Sequence, residues 1–181
     1  EQCYAIYLRM WSNDVPPKVT WKGVRLIARS TSRDFATWTT PEIMSTGEVP
    51  LENLYTNATQ PYFRAPQLLI ALPFRFAEDR RLLADDELRA EGIDPSMWKG
   101  VSDGVLMTSR GGTRYDRKFM ESFIRPGLDR GNWAARSNIP ALGVVQTGPA
   151  EMSLYVTCGY GSNYPRLERK TLRLDGFASL H

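Results

Sequence analysis

Leu54-Tyr-Thr-Asn-Ala-Thr-Gln-Pro-Tyr-Phe-Arg64, followed by Gln67-Leu-Leu-Ile-Ala-Leu-Pro-Phe-Arg-Phe76, opens the stretch that decides how this chain folds. The first segment alternates apolar residues up to a turn at Arg64-Ala-Pro66. The second is a nearly continuous apolar run, the pattern of a strand buried on both faces. A third segment, Asp103-Gly-Val-Leu-Met-Thr-Ser109, closes on Arg110-Gly-Gly-Thr113, and a fourth runs from Tyr115 to Ile124 before Arg125-Pro-Gly127. Together these segments, A to D, read as one four-stranded antiparallel unit.

Partial copies of that unit flank it. Upstream, Cys3 to Trp11 reads as a fully buried strand B, Gly23 to Arg29 as C and Trp38 to Met44 as a short D. Downstream, Ala141 to Thr147 reads as A, Glu151 to Cys158 as B and Leu167 to Arg173 as C. The copies share a corner: Ser32-Arg-Asp-Phe-Ala-Thr-Trp38 matches Ser109-Arg-Gly-Gly-Thr-Arg-Tyr115 in its Ser, the following Arg and an aromatic six positions after the Ser. Ser and Asp at such corners bond backbone N–H groups two residues on. Leu174-Asp-Gly-Phe177 is a weaker third copy.

The segment from Ala77 to Ser102 is a long B-to-C connection. Leu82, Leu83 and Leu88 among dense charges predict a short amphipathic helix there, ended by Gly92 and Pro95. Three pieces, about 1–45, 54–127 and 138–181, therefore make up a single repeat array with a helical insertion at about 77–102.

Composition limits the function classes. The chain has 181 residues, 42% of them hydrophobic, enough for a sizeable core, and an aromatic share of 11% that suits both sheets and sugar-binding surfaces. The net charge of +3 comes from scattered arginines rather than a basic run, which argues for a solvated surface and against nucleic acid. No long apolar span or signal peptide is present. Cys3 and Cys158 pair only if the two ends of the chain meet. His181 is the sole histidine, which excludes a Ser-His-Asp triad and a His-rich metal site. No phosphate-binding or dinucleotide glycine fingerprint appears.

Repeated four-stranded meanders, none able to bury both faces alone, predict an all-β chain of β-propeller type rather than a sandwich, which does not repeat one corner in one strand order. About three blades do not close a ring, since propellers have roughly four or more, so the chain reads as a fragment of a larger protein.

The runs Leu54-Tyr-Thr-Asn-Ala58, Tyr62-Phe-Arg-Ala-Pro66, Ser102-Asp-Gly-Val105, Phe123-Ile-Arg-Pro-Gly127 and Leu172-Arg-Leu-Asp-Gly-Phe177 resemble a bacterial group related to five-bladed propeller glycoside hydrolases, the arabinanase, xylosidase and invertase class. The resemblance covers most of the chain. It implies a five-bladed full-length protein acting on oligo- or polysaccharide by carboxylate acid/base hydrolysis. The alternative is a non-catalytic propeller that binds carbohydrate or protein. Some relatives carry calcium on the propeller axis, but no ligand set is readable here and no other cofactor is implied. The compartment is left open, a secreted or periplasmic location being compatible with the full protein.

In propellers of that class the sugar pocket lies on the axis, at the face where the innermost strands begin. Antiparallel alternation puts the B-to-C loops on that face and the Ser-Arg corners on the other. Glu52, Tyr55 and Asn57 at the start of central strand A, Asp103 at the start of C, Asp14 in the first B-to-C loop and Asn138 before the last strand A are thereby selected. Hydrolysis needs two carboxylates, and Asp103 and Glu52 fit the face, although neither lies within a match to the catalytic motifs of those enzymes. A strand-capping role for Asp103 and a solvated one for Glu52 compete with this. Trp98 and Trp133 stand in loops of the same face, where an indole either stacks on a pyranose ring or packs inward.

Overall fold

The computed structural model describes residues 2–96 and 99–178. The protein is mostly β, built of small antiparallel sheets with one short α-helix. Strands β1 (Tyr4–Trp11), β2 (Arg25–Ser32) and β3 (Glu42–Ile43) pair in sequence order. These are the expected B, C and D of the first unit, each near its expected place.

The central unit keeps its expected order in two abutting sheets. Strands β4 (Asn53–Leu54) and β5 (Gln60–Tyr62) supply A, β6 (Ala65–Ala71) and β7 (Phe74–Ala77) supply B, and β8 (Val101–Gly104) and β9 (Met107–Ser109) supply C. The break falls at Leu72-Pro73, where proline has no N–H to give to a ladder. Backbone bonds from Leu72 N to Asn57 O and from Val105 N to Pro73 O carry the sheet across it. The expected fourth strand, Tyr115 to Ile124, forms no continuous strand. It touches C by the bridges Thr108 to Asp116 and Gly104 to Ile124.

The insertion holds the expected helix, α1 (Asp85–Ala90). Glu87 accepts the Ala84 N–H at 2.8 Å, and Gly92, with φ of 79°, ends the helix in the left-handed conformation that glycine adopts without strain. Leu88 packs with Leu83, Ile93 and Ala134 in a small core of their own. In the last unit, β10 (Ile139–Pro140) and β11 (Val145–Gly148) lie along one edge of β12 (Glu151–Cys158) and β13 (Arg166–Arg173) along the other. This is the expected A-B-C order.

Period-two alternation explains how the units stack. On the central sheet Ala71, Val105 and Met107 face Ile27 and Met44 of the first unit, while Ile70, Leu72 and Leu106 face Met152, Leu154 and Val156 of the last. Each such fully buried large side chain contributes about 1.5–3 kcal/mol. β12 buries Met152, Leu154, Val156 and Cys158 on one face, whereas Glu151, Tyr155 and Thr157 on the other are only partly covered.

Two expectations of full burial are corrected. β1 pairs with β2 alone, so with no strand beside its other edge among the described residues, Tyr4 (53%) and Ile6 (42%) are exposed. The start of the Gln67 to Phe76 run is also open, because the neighbouring units cover only its later half, from Ile70 to Arg75. Cys3 and Cys158 form no disulfide. Among the described residues no helix is long and apolar enough to cross a membrane.

Candidate functional site

Strand pairing sets Arg75 of β7 directly opposite Asp103 of β8, on one face of the sheet. Arg75 Nε donates to Asp103 Oδ1 at 2.8 Å and Nη2 to Oδ2 at 2.6 Å, a charge-assisted fork. Its Nη1 donates to Glu52 Oε1 at 3.0 Å and to the Met120 carbonyl at 3.0 Å. The Ser122 hydroxyl donates to Asp103, and the second Glu52 oxygen pairs with Arg117, whose side chain is 1% exposed. Desolvation works against the Arg75 charge, but Asp103 and Glu52 outweigh it and raise the arginine above its ordinary value. The structure thus brings the two expected carboxylates together around one guanidinium, in a network of two cations and two anions.

The sequence reading missed Arg75 and Arg117. A signal for the first was present: an arginine inside a run that reads as buried on both faces has to bring its own carboxylate.

A hollow of about 340 Å³ opens where the insertion meets the start of strand A. Tyr55, Phe74 and Phe76 give it an aromatic floor, their rings edge-on at 5.7 and 6.1 Å, and Glu78, Lys99 and Arg136 form its polar rim. Arg25 lies between the rings of Tyr55 and Trp11, 4.5 and 4.2 Å from their centroids, which fixes the face of Tyr55. Glu78 and Lys99 are exposed and have no ion-pair partner among the described residues.

The remaining candidates are spent on the fold. Asp14 is buried and accepts the N–H groups of Trp11, Thr20 and Trp21; desolvation pushes its carboxyl up, and these bonds pull it further down, to a net value below the ordinary one. Asn57 accepts the Thr59 N–H at 3.0 Å and donates to the Tyr7 carbonyl at 3.3 Å. Asn138 is 1% exposed and donates to the Ser102 and Asn132 carbonyls. Trp133 donates to the Gly127 carbonyl at 2.8 Å and packs on the small core around α1. Trp98 lies outside the described residues. Among the described residues no group of three or more His, Cys, Asp or Glu side chains is placed to hold a metal ion.

No protein-family model matches the chain, and neither the curated proteins nor the solved structures contain a match.

Proposed function

We propose that this chain is part of a propeller-type protein that binds carbohydrate in the hollow between the insertion and the start of strand A, without cleaving it. The observation that carries this reading is the lining of that hollow: an aromatic floor under two charged groups, Glu78 and Lys99, that have no ion-pair partner among the described residues. Flat aromatic surface suits the C–H face of a sugar ring, and a sparse set of polar groups fixes its hydroxyls. The three stacked meanders, in one strand order and with one corner repeated, support the propeller part of the reading.

Hydrolysis by Asp103 and Glu52 is the weaker reading. A glycosidase pair has to face a shared substrate across empty space, whereas Arg75 fills the space between these two. The hollow itself is lined by one carboxylate among the described residues, Glu78. Titration calorimetry of the chain and of Glu78→Ala and Lys99→Ala against neutral plant and algal oligosaccharides tests the proposal. Binding weakened in both variants, with circular dichroism unchanged, is the expected result. Hydrolysis of an aryl glycoside that disappears in a folded Glu52→Gln or Asp103→Asn variant would replace it with the glycosidase reading.

A further inference from the structure

The corner that marks the repeat carries more than a turn. Ser32-Arg-Asp-Phe35 and Ser109-Arg-Gly-Gly112 correspond position by position. Both serines are buried and bond the corner's own backbone: Ser109 Oγ donates to the Arg114 carbonyl at 2.7 Å, and Ser32 Oγ accepts the Asp34 N–H at 3.3 Å. Each arginine is thereby turned outward, and neither Arg33 nor Arg110 has an ion-pair partner among the described residues. Gly112 has a φ of 66° and Phe35, at the same position, a φ of 63°. The first corner holds a bulky residue in the backbone conformation for which the second uses glycine, at a cost in strain.

Burial does not offset that cost. Phe35 is 65% exposed, edge-on to Tyr4 at 5.1 Å and to Trp38 at 5.5 Å. Beside this aromatic group runs an open groove of about 740 Å³ lined by Arg33, Thr37, Trp38 and Thr39. It shares Cys3 and Arg29 with a second groove of about 350 Å³ that reaches Arg110. The carboxylate on its wall, Asp34, accepts the N–H groups of Ala36 and Thr37 and the Ser32 hydroxyl on one of its two oxygens.

We propose that this end of the sheets, opposite the hollow described above, is a second carbohydrate site, selective for acidic polysaccharide. Phe35 offers the stacking surface for a sugar ring, and Arg33 and Arg110, one from each corner, pair with carboxylates along a uronate chain. The groove wall is rich in threonine and glutamine side chains, which suits a hydroxylated polymer better than a peptide. This inference rests on the carbohydrate reading above but concerns a different surface.

Affinity electrophoresis in gels containing polygalacturonate, a neutral arabinan or polyglutamate tests it, using the chain and its Arg33→Ala, Phe35→Gly and Lys99→Ala variants. The expected result is retardation by polygalacturonate, about tenfold weaker in Arg33→Ala and in Phe35→Gly, and unchanged in Lys99→Ala. Phe35→Gly relieves the strained backbone, so a purely structural role predicts unaltered binding, and its melting temperature is recorded alongside. Equal retardation by polyglutamate, or polygalacturonate retardation that survives both Arg33→Ala and Phe35→Gly, overturns the inference. Retardation by arabinan alone, lost in Lys99→Ala, overturns it while leaving the proposed function intact. Retardation by neither polysaccharide overturns both.

Discussion

Arg75 and Asp103 are cross-strand neighbours joined by two charge-assisted hydrogen bonds of 2.8 and 2.6 Å, in a place where the arginine is 9% and the aspartate 6% exposed. Breaking one half of such a buried pair strands the other charge, which costs about 3–5 kcal/mol. Asp103→Asn is therefore expected to lower the urea midpoint by an amount of that order, and Arg75→Met likewise. The double variant Arg75→Met, Asp103→Asn is expected to lose less than the sum of the two single losses, because no uncompensated charge remains. Equilibrium unfolding of the four proteins completes the cycle. Additive losses would show that the two side chains are not energetically coupled.

Asp34 supplies a pH-dependent element. Its carboxyl is held well below its ordinary value by the Thr37 N–H first, then by the Ala36 N–H and the Ser32 hydroxyl. A carboxyl depressed in the folded state stabilises the fold above its unfolded pKa of about 4, and that contribution is lost as the pH falls through the folded value. The corner is accordingly expected to keep its geometry at neutral pH and to loosen only in strong acid. Amide hydrogen exchange at Ala36 and Thr37 reports this directly. Asp34→Asn is expected to speed exchange at both amides at pH 7 and to remove its acid dependence.

Much of the architecture is legible in the chain because it is written in periodicity. Glu151 to Cys158 reads as strand B of the last unit and is one, its alternate residues Met152, Leu154 and Val156 packed with Leu106 and its neighbours. Gly92 marks the end of α1 because only its left-handed φ closes that helix cheaply. Burial of a given run is less legible, since it depends on what lies alongside. Tyr4 and Ile6 read as core and are exposed because β1 has a strand on one side only among the described residues. The site is legible in location more than in chemistry. Strand alternation places Tyr55 and the Ala77 to Ser102 connection around one hollow. That Asp103 and Glu52 are engaged by Arg75 depends on a cross-strand register and on Arg117 reaching in from a segment that forms no continuous strand.

Gly104 tests how closely the central and last units approach. A Cβ built there would lie 2.9 Å from Ile124 Cδ1, 3.0 Å from Ile124 Cβ and 3.1 Å from Pro140 Cγ. Two of these are not the ends of flexible chains, so the neighbours have to shift. Gly104→Ala is expected to destabilise the fold by about 1–3 kcal/mol through overpacking. Thermal unfolding with a second substitution, Ile124→Ala, decides the cause. Partial recovery of the melting temperature, relative to Ile124→Ala alone, assigns the clash to Ile124 Cδ1, and no recovery assigns it to Ile124 Cβ and Pro140, which that substitution leaves in place.

Asn138 joins backbone geometry to polar satisfaction at one residue. Its φ of 64° lies in the left-handed region, where asparagine is better tolerated than alanine. Its side-chain amide, fully buried, spends both protons on carbonyl oxygens, of Ser102 at 2.9 Å and of Asn132 at 2.9 Å. Asn138→Ala strands both acceptors and keeps the strained φ, for an expected loss of about 2–4 kcal/mol. Asn138→Gly removes the strain but strands the same carbonyls, so it should be less destabilising than alanine. Asn138→Asp at pH 7 keeps the shape but turns a carboxylate toward two carbonyls, and should be the worst of the three. The order Gly, Asp, Ala in denaturation midpoints would put backbone strain above polar satisfaction. The order Gly, Ala, Asp would assign Asn138 the part its contacts describe, a donor that ties the start of the last unit to β8.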